Sequence, residues 1–234
     1  MPSIAVLLAG LLVVTIGCSR PAPGDRAAGD TAAAVSAEAG PTPDGTAAQA
    51  ESLLVDIRQL DQSIVVEARY ATTDNFTGAP LPGYEANRAL LRREAAVALA
   101  RVQARLRSQG LGLKVFDGYR PVRATGAMME WTERTGRQDL VRDGYIAERS
   151  RHNLGVAIDL TLVELGSGRE LDMGTAYDEF TPAAHTASAV GVVAERRATL
   201  VSAMESEGFT NYEREWWHFS YQVPEPLRFD VTVR

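Results

Sequence analysis

The sequence predicts an α+β domain, and three observations carry that prediction. Two stretches, V-A-I-D-L-T-L from Val156 and W-W-H-F-S-Y-Q from Trp216, alternate with the period of two that marks a strand. A third stretch repeats apolar residues at helical spacing, with Leu91, Ala95, Ala98, Leu99, Val102 and Leu106 separated by arginines. Strands and helices are mixed without a regular βαβ rhythm, which separates α+β from a doubly wound parallel sheet. At 234 residues the chain suits one domain with appendages. The formal net charge of −6 and the absence of a long basic run exclude nucleic acid as an expected partner.

Taken in order, residues 1–18 read as an export signal. Ile4 to Ile16 is almost entirely apolar, the length of a signal-peptide core and short of the roughly 20 residues that span a bilayer. It ends in T-I-G-C, and the small Gly17 before Cys18 resembles a bacterial lipoprotein signal, in which the cysteine is lipidated. No Lys or Arg precedes the apolar run, which departs from that pattern. Cys18 is the only cysteine, so no intrachain disulfide forms. Residues 19–50 are rich in Ala, Pro, Gly, Asp and Thr and cannot bury enough apolar surface to offset their ordering entropy. They are expected to be a disordered tether with a span of very roughly 30 Å. A lipid anchor at Cys18 followed by a tether places the protein outside the cytoplasm, in the periplasm or cell envelope.

The folded domain is expected over residues 51–234. L-L-V-D-I from about Leu53 and S-I-V-V-E-A-R-Y read as strands, and Tyr70 to Tyr84 as a loop punctuated by Gly and Pro. Arg88–Arg107 reads as a long amphipathic helix, with Gly110 after its end. Leu113 to Pro121, L-K-V-F-D-G-Y-R-P, reads as a strand running into a turn. Arg120 precedes a proline, where the backbone prefers an extended form, so its side chain can be held at a strand end. Residues 122–135 read as a helix ending near Gly136, Met173 to Phe180 as a loop carrying Asp178 and Glu179, and residues 192–207 as a last helix ended by Gly208. The strand from Val156 is expected to be half-buried, with Asp159 on the face of Ala157 and Thr161.

The chemistry concentrates in S-R-H-N-L-G-V-A-I-D, Ser150 to Asp159, and E-W-W-H, Glu215 to His218. Two of the chain's three histidines fall in these motifs. His152, Asp159 and His218 make a ligand set suited to catalytic Zn²⁺, with one position left open for water. Glu215 is a carboxylate beside it, as a metallohydrolase needs. Glu215 and His218 are three apart and would point to opposite faces of a regular strand, so Glu215 is expected in the turn before it. The third histidine, His185, reads as a loop residue, and Trp216 and Trp217 as packing residues.

These motifs, with Y-A-T-T-D-N-F-T-G, D-G-Y-R-P and M-G-T-A-Y-D, resemble the zinc D-Ala-D-Ala peptidases of the VanX and VanY type, and among them the VanX-like D-alanyl-D-alanine dipeptidases. The resemblance covers about residues 53–225. It implies a single zinc-peptidase domain with a mainly antiparallel central sheet flanked by helices, and a metal site in a cleft on the sheet. It implies one Zn²⁺ per chain on His152, Asp159 and His218, Glu215 as catalytic base, and Arg120 as stabiliser of the reacting carbonyl oxygen. Ser150 and Asp178 match positions that contact the two ends of a small dipeptide, and Tyr70 lies in a loop near the site. A carboxypeptidase or endopeptidase acting on peptidoglycan stems would use the same metal and base. A non-catalytic zinc-binding module would be expected to lack the base or the Arg, and both are present. The oligomeric state stays open.

Overall fold

The computed structural model describes Met1 and residues 42–234. The export signal, Cys18 and the tether up to residue 41 lie outside the described residues. The chain divides into two units, of which the second, Pro41–Arg234, carries all the elements that follow.

Order begins earlier than residue 51. Helix α1 (Ala47–Leu53) opens on a closed capping box: Thr46 Oγ1 accepts from the Gln49 N–H at 3.2 Å, and Gln49 Oε1 accepts from the Thr46 N–H at 2.8 Å. Ahead of it, the Gly45 N–H donates to the Arg228 carbonyl at 2.7 Å, and Asp44 pairs with Arg228 at 2.7 Å. Gly45 lies flat under Phe229, where a Cβ would sit 2.1 Å from the ring. Composition alone assigns residues 42–50 to the tether because nothing apolar marks them. Their order comes from a cap and from a distant segment.

Strand β1 (Leu54–Asp56) pairs antiparallel with β3 (Leu90–Arg92), Val55 opposite Leu91. That pairing takes the first residues of the helix expected from Arg88, so α2 runs Arg93–Arg107. The main sheet has five strands in the order β2 (Val65–Val66), β4 (Leu111–Asp117), β5 (Ala157–Glu164), β7 (His218–Tyr221), β6 (Phe209–Asn211). Only the β2–β4 pair is parallel. Leu99, Val102 and Leu106 of α2 pack with Leu200 and Met204 of α5 (Gly191–Glu205) on Leu113, Val115, Ile158, Leu160 and Phe219 of the sheet. Each such buried side chain contributes about 1.5–3 kcal/mol. Gln103, on the buried side of α2, accepts the Leu113 N–H at 2.9 Å and so ties helix to strand.

A second cluster is built around α3 (Val122–Thr135) and the short α4 (Asp139–Arg142). Ala124, Met128 and Leu140 pack there with Tyr70, Tyr84, Tyr119, Phe229 and Val233. Gly136, at φ 75°, ends α3 in the left-handed conformation, as its position predicts. The central strand departs from expectation: every residue of β5 from Ala157 to Val163 is buried, so both faces are covered. Phe116 and Tyr177 cover the face that was expected to meet solvent, with their rings stacked at 4.7 Å.

Candidate metal centre and active site

Register sets the site. Asp159 on β5 lies opposite His218 on β7 and opposite Asp117 on β4, so three polar residues form one row across the sheet. Pairing shifts between Val115 and Asp117, where two residues of β4 oppose one of β5. The bulge turns Asp117 toward the row instead of into the core beside Val115. His152 arrives from a 3₁₀ turn, Arg151–Leu154, capped by Ser150 and ended by Gly155 at φ 66°.

The donor atoms of His152, Asp159 and His218 converge. His152 Nε2 lies 3.1 Å from His218 Nδ1 and 3.4 Å from Asp159 Oδ1, and His218 Nδ1 lies 2.9 Å from Asp159 Oδ1. Zinc bonds of about 2.0–2.1 Å in tetrahedral geometry place ligand atoms roughly 3.3 Å apart, so the set fits that ion. The tautomer fits as well. His152 Nδ1 lies 2.7 Å from the Gly118 carbonyl, which only an N–H can satisfy, leaving Nε2 with a lone pair. Burial opposes ionisation of Asp159, but the two histidines outweigh it and hold its carboxyl below the usual range. Burial also lowers the His218 imidazole, favouring the neutral form a ligand needs.

Glu215 sits in the turn before β7. Its N–H donates to the Tyr212 carbonyl at 2.9 Å, and its own carbonyl accepts from His218 N–H at 3.1 Å and Asn211 Nδ2 at 3.2 Å. Its Oε2 is 3.9 Å from His218 Nδ1. Burial, then the negative charges of Asp159 and Asp178, push the Glu215 carboxyl well above its ordinary value.

Arg120 is buried and fixed. Its Nε and Nη2 bond Asp117 Oδ2 at 3.0 and 2.9 Å, its Nη2 lies 3.8 Å from Asp159, and its guanidinium rests over the Tyr70 ring at 5.0 Å. Asp117 is held from its other side by the Tyr84 hydroxyl at 2.6 Å. Tyr70 donates to both oxygens of Asp178, at 3.2 and 3.1 Å. Asp178 is the only described non-glycine residue with positive φ, at 60°. Burial and the neighbouring Asp159 raise its carboxyl far above the usual range, against Arg120 and the Tyr70 bond.

The family model for D-ala-D-ala dipeptidases matches residues 50–228. The chain belongs to the D-Ala-D-Ala dipeptidase family. A D-alanyl-D-alanine dipeptidase of Enterococcus faecium is 39% identical over 169 residues, 65% of this chain and 83% of the relative. Those of Streptomyces coelicolor and Escherichia coli K12 are both 36% identical, covering 76% and 77% of this chain and 96% and 89% of theirs.

In this dipeptidase-family fold, His152, Asp159, His218, Glu215, Arg120, Asp178 and Tyr70 come together from positions far apart in the chain. Ser150 is placed at the edge, where its Oγ accepts the His152 N–H at 3.2 Å. His185 meets Tyr145 at 2.9 Å and serves the loop that supports Glu215, since the Trp216 N–H donates to Ala184 at 3.1 Å. Sequence reasoning missed the roles of Asp117, Tyr84 and Tyr177. Asp117 and Tyr177 lie inside the quoted D-G-Y-R-P and M-G-T-A-Y-D stretches, and their flanking motif residues were the available signal.

Proposed function

We propose that this protein is a zinc dipeptidase that cleaves D-Ala-D-Ala into two D-Ala. The observation that supports it most is Asp178, a carboxylate with no ion pair among the described residues, held by Tyr70 within the cluster that contains the three donors, Glu215 and Arg120. Such a group suits the free ammonium of a dipeptide and has no use for an acylated nitrogen. His152, Asp159 and His218 would hold the zinc, which when bound supplies a polarised carbonyl and a water pKa brought toward about 7.

The chain's own residues supply the rest. Glu215 takes the proton of the attacking water and passes it to the leaving amine, a role worth about 10²- to 10⁴-fold. Arg120 faces the negative charge that develops on the carbonyl oxygen, and Asp117 with Tyr84 keeps its guanidinium from turning away. Ser150 Oγ accepts from the backbone, which leaves its proton free for the substrate carboxylate.

The test offers zinc-loaded protein D-Ala-D-Ala, N-acetyl-D-Ala-D-Ala and a stem pentapeptide, with free D-Ala measured. Only the free dipeptide should be cleaved, because an acetylated amine removes the cation that would hold the Asp178 carboxyl ionised and leaves it facing a neutral amide. Efficient release of D-Ala from the acylated dipeptide or the pentapeptide would replace this reading with a stem-peptide carboxypeptidase.

A further inference from the structure

Tyr177 stands between two carboxylates, touching Asp159 directly and reaching Asp178 through Tyr70. Its hydroxyl lies 3.0 Å from Asp159 Oδ2 and 3.1 Å from the Tyr70 hydroxyl, and Tyr70 in turn reaches both oxygens of Asp178. The two oxygens of Asp159 are thereby divided: Oδ1 faces the histidines, and Oδ2 faces Tyr177, with Arg120 Nη2 at 3.8 Å. The ring is clamped independently of the hydroxyl, stacked on Phe116 at 4.7 Å and edge-on to Trp217 at 5.5 Å. Asp159, Tyr177, Tyr70 and Asp178 thus form a line of three contacts that share two hydroxyl protons. The direction in which Tyr70 donates decides what Tyr177 can offer to Asp159. An ionised Asp178 draws the Tyr70 proton, because an anion accepts more strongly than a neutral oxygen. Tyr177 then has two acceptors for its proton, the Tyr70 oxygen and Asp159, whereas a Tyr70 that donates to Tyr177 leaves that proton to Asp159 alone.

We propose that Tyr177 is a positioning residue that orients Asp159 as a metal ligand and, through Tyr70, couples that ligand to the carboxylate at Asp178. The assignment of Asp178 to the substrate ammonium rests on the function proposed above; the coupling itself rests on the hydroxyl line. A hydrogen-bond partner of a ligating group typically governs 10- to 100-fold in metal affinity. The hydroxyl, not the ring, is the part that matters, so Tyr177→Phe is the discriminating variant.

The experiment is a double-mutant cycle read in zinc affinity, by competition with a chromophoric chelator, on wild type, Tyr177→Phe, Asp178→Asn and the double variant. Tyr177→Phe should weaken zinc binding about 10- to 100-fold. The effect of Asp178→Asn on zinc affinity should differ by at least about threefold between the wild-type and Tyr177→Phe backgrounds. Thermal melts check that Tyr177→Phe keeps its packing, and the same cycle repeated in a Tyr70→Phe background, which breaks the line one contact further out, should be additive. Zinc affinity of wild-type strength in Tyr177→Phe would reduce the residue to a packing group. Weakened affinity with strictly additive effects would leave Tyr177 orienting Asp159 but would overturn the coupling. No substrate enters the measurement, so a failure to cleave D-Ala-D-Ala and a failure of the coupling are separate results.

Discussion

Glu215 and Asp178 are carboxyls that the fold holds away from water and close to the charge of Asp159, and both are pushed upward for that reason. Their uses differ, and so do the expected effects of removing them. Glu215→Gln should retain zinc and lose about 10²- to 10⁴-fold in kcat, while Glu213→Ala changes little. His218→Ala should instead lose stable zinc binding, which elemental analysis reads directly. For Asp178 the consequence is a pH-dependent cost. Its folded pKa is raised above the unfolded value, so the folded state holds the proton longer, and stability falls as pH rises from about 4 through the folded value. Asp178→Asn removes that cost, and Asn tolerates the positive φ found there. Metal-free Asp178→Asn should therefore melt higher than wild type, by a margin larger at pH 8 than at pH 4, while losing activity on the dipeptide. A margin that does not grow with pH would remove the electrostatic explanation.

Among the elements, the 3₁₀ turn Arg151–Leu154 shows how a short piece of backbone carries a ligand. Gly155 closes it at φ 66°, and a Cβ there would lie 2.4 Å from Leu54 Cδ2 and 3.3 Å from the Arg92 nitrogen. Gly155→Ala should cost roughly 1–3 kcal/mol from conformation alone, and it should weaken zinc binding because His152 moves with the turn. A melting temperature within a degree of wild type would show that the turn absorbs the change. Such turns explain what was readable in advance. The ligands stood out because a metal site needs His and Asp at set intervals around a strand, and α2, α3 and α5 stood out because helices are local. The strand read over S-I-V-V-E-A-R-Y is present but keeps only Val65–Val66 as β2. Strand β3, three residues inside the stretch that reads as helix, exists only through its pairing with β1 far back along the chain, so no local period announces it. The bulge that aims Asp117 is invisible for the same reason, and with it the clamp on Arg120.

At the scale of the whole molecule, the site lies where two apolar clusters meet, one under α2 and α5 and the other around α3. Tyr177 belongs to both, packed against each. Among the described residues no helix is long and apolar enough to cross a membrane. Attachment to one is a proposal that rests on Gly17-Cys18 and the segment after it. Lipid chains at Cys18 would each contribute about 0.8 kcal/mol per buried CH₂, and more than one suffices for stable anchoring. An enzyme held in the cell envelope meets wall-derived dipeptide and not the cytosolic pool, so turnover of cell-wall D-Ala-D-Ala is the role we propose. Cell fractionation should find the full-length protein in the membrane fraction and Cys18→Ala outside it. Unprocessed, lipid-free protein in the cytosol would defeat both the anchor and the role.

The pairing of Asp44 and Gly45 with Arg228 has a topological consequence. Arg234 is only six residues beyond Arg228, so a linker of about that length spans back to residue 42 even if those residues run fully extended. Joined there, the described residues would close into a ring. Moving the opening to the exposed tip after β5, at Gly166–Gly168, would leave the metal row, the Glu215 turn and both apolar clusters uncut.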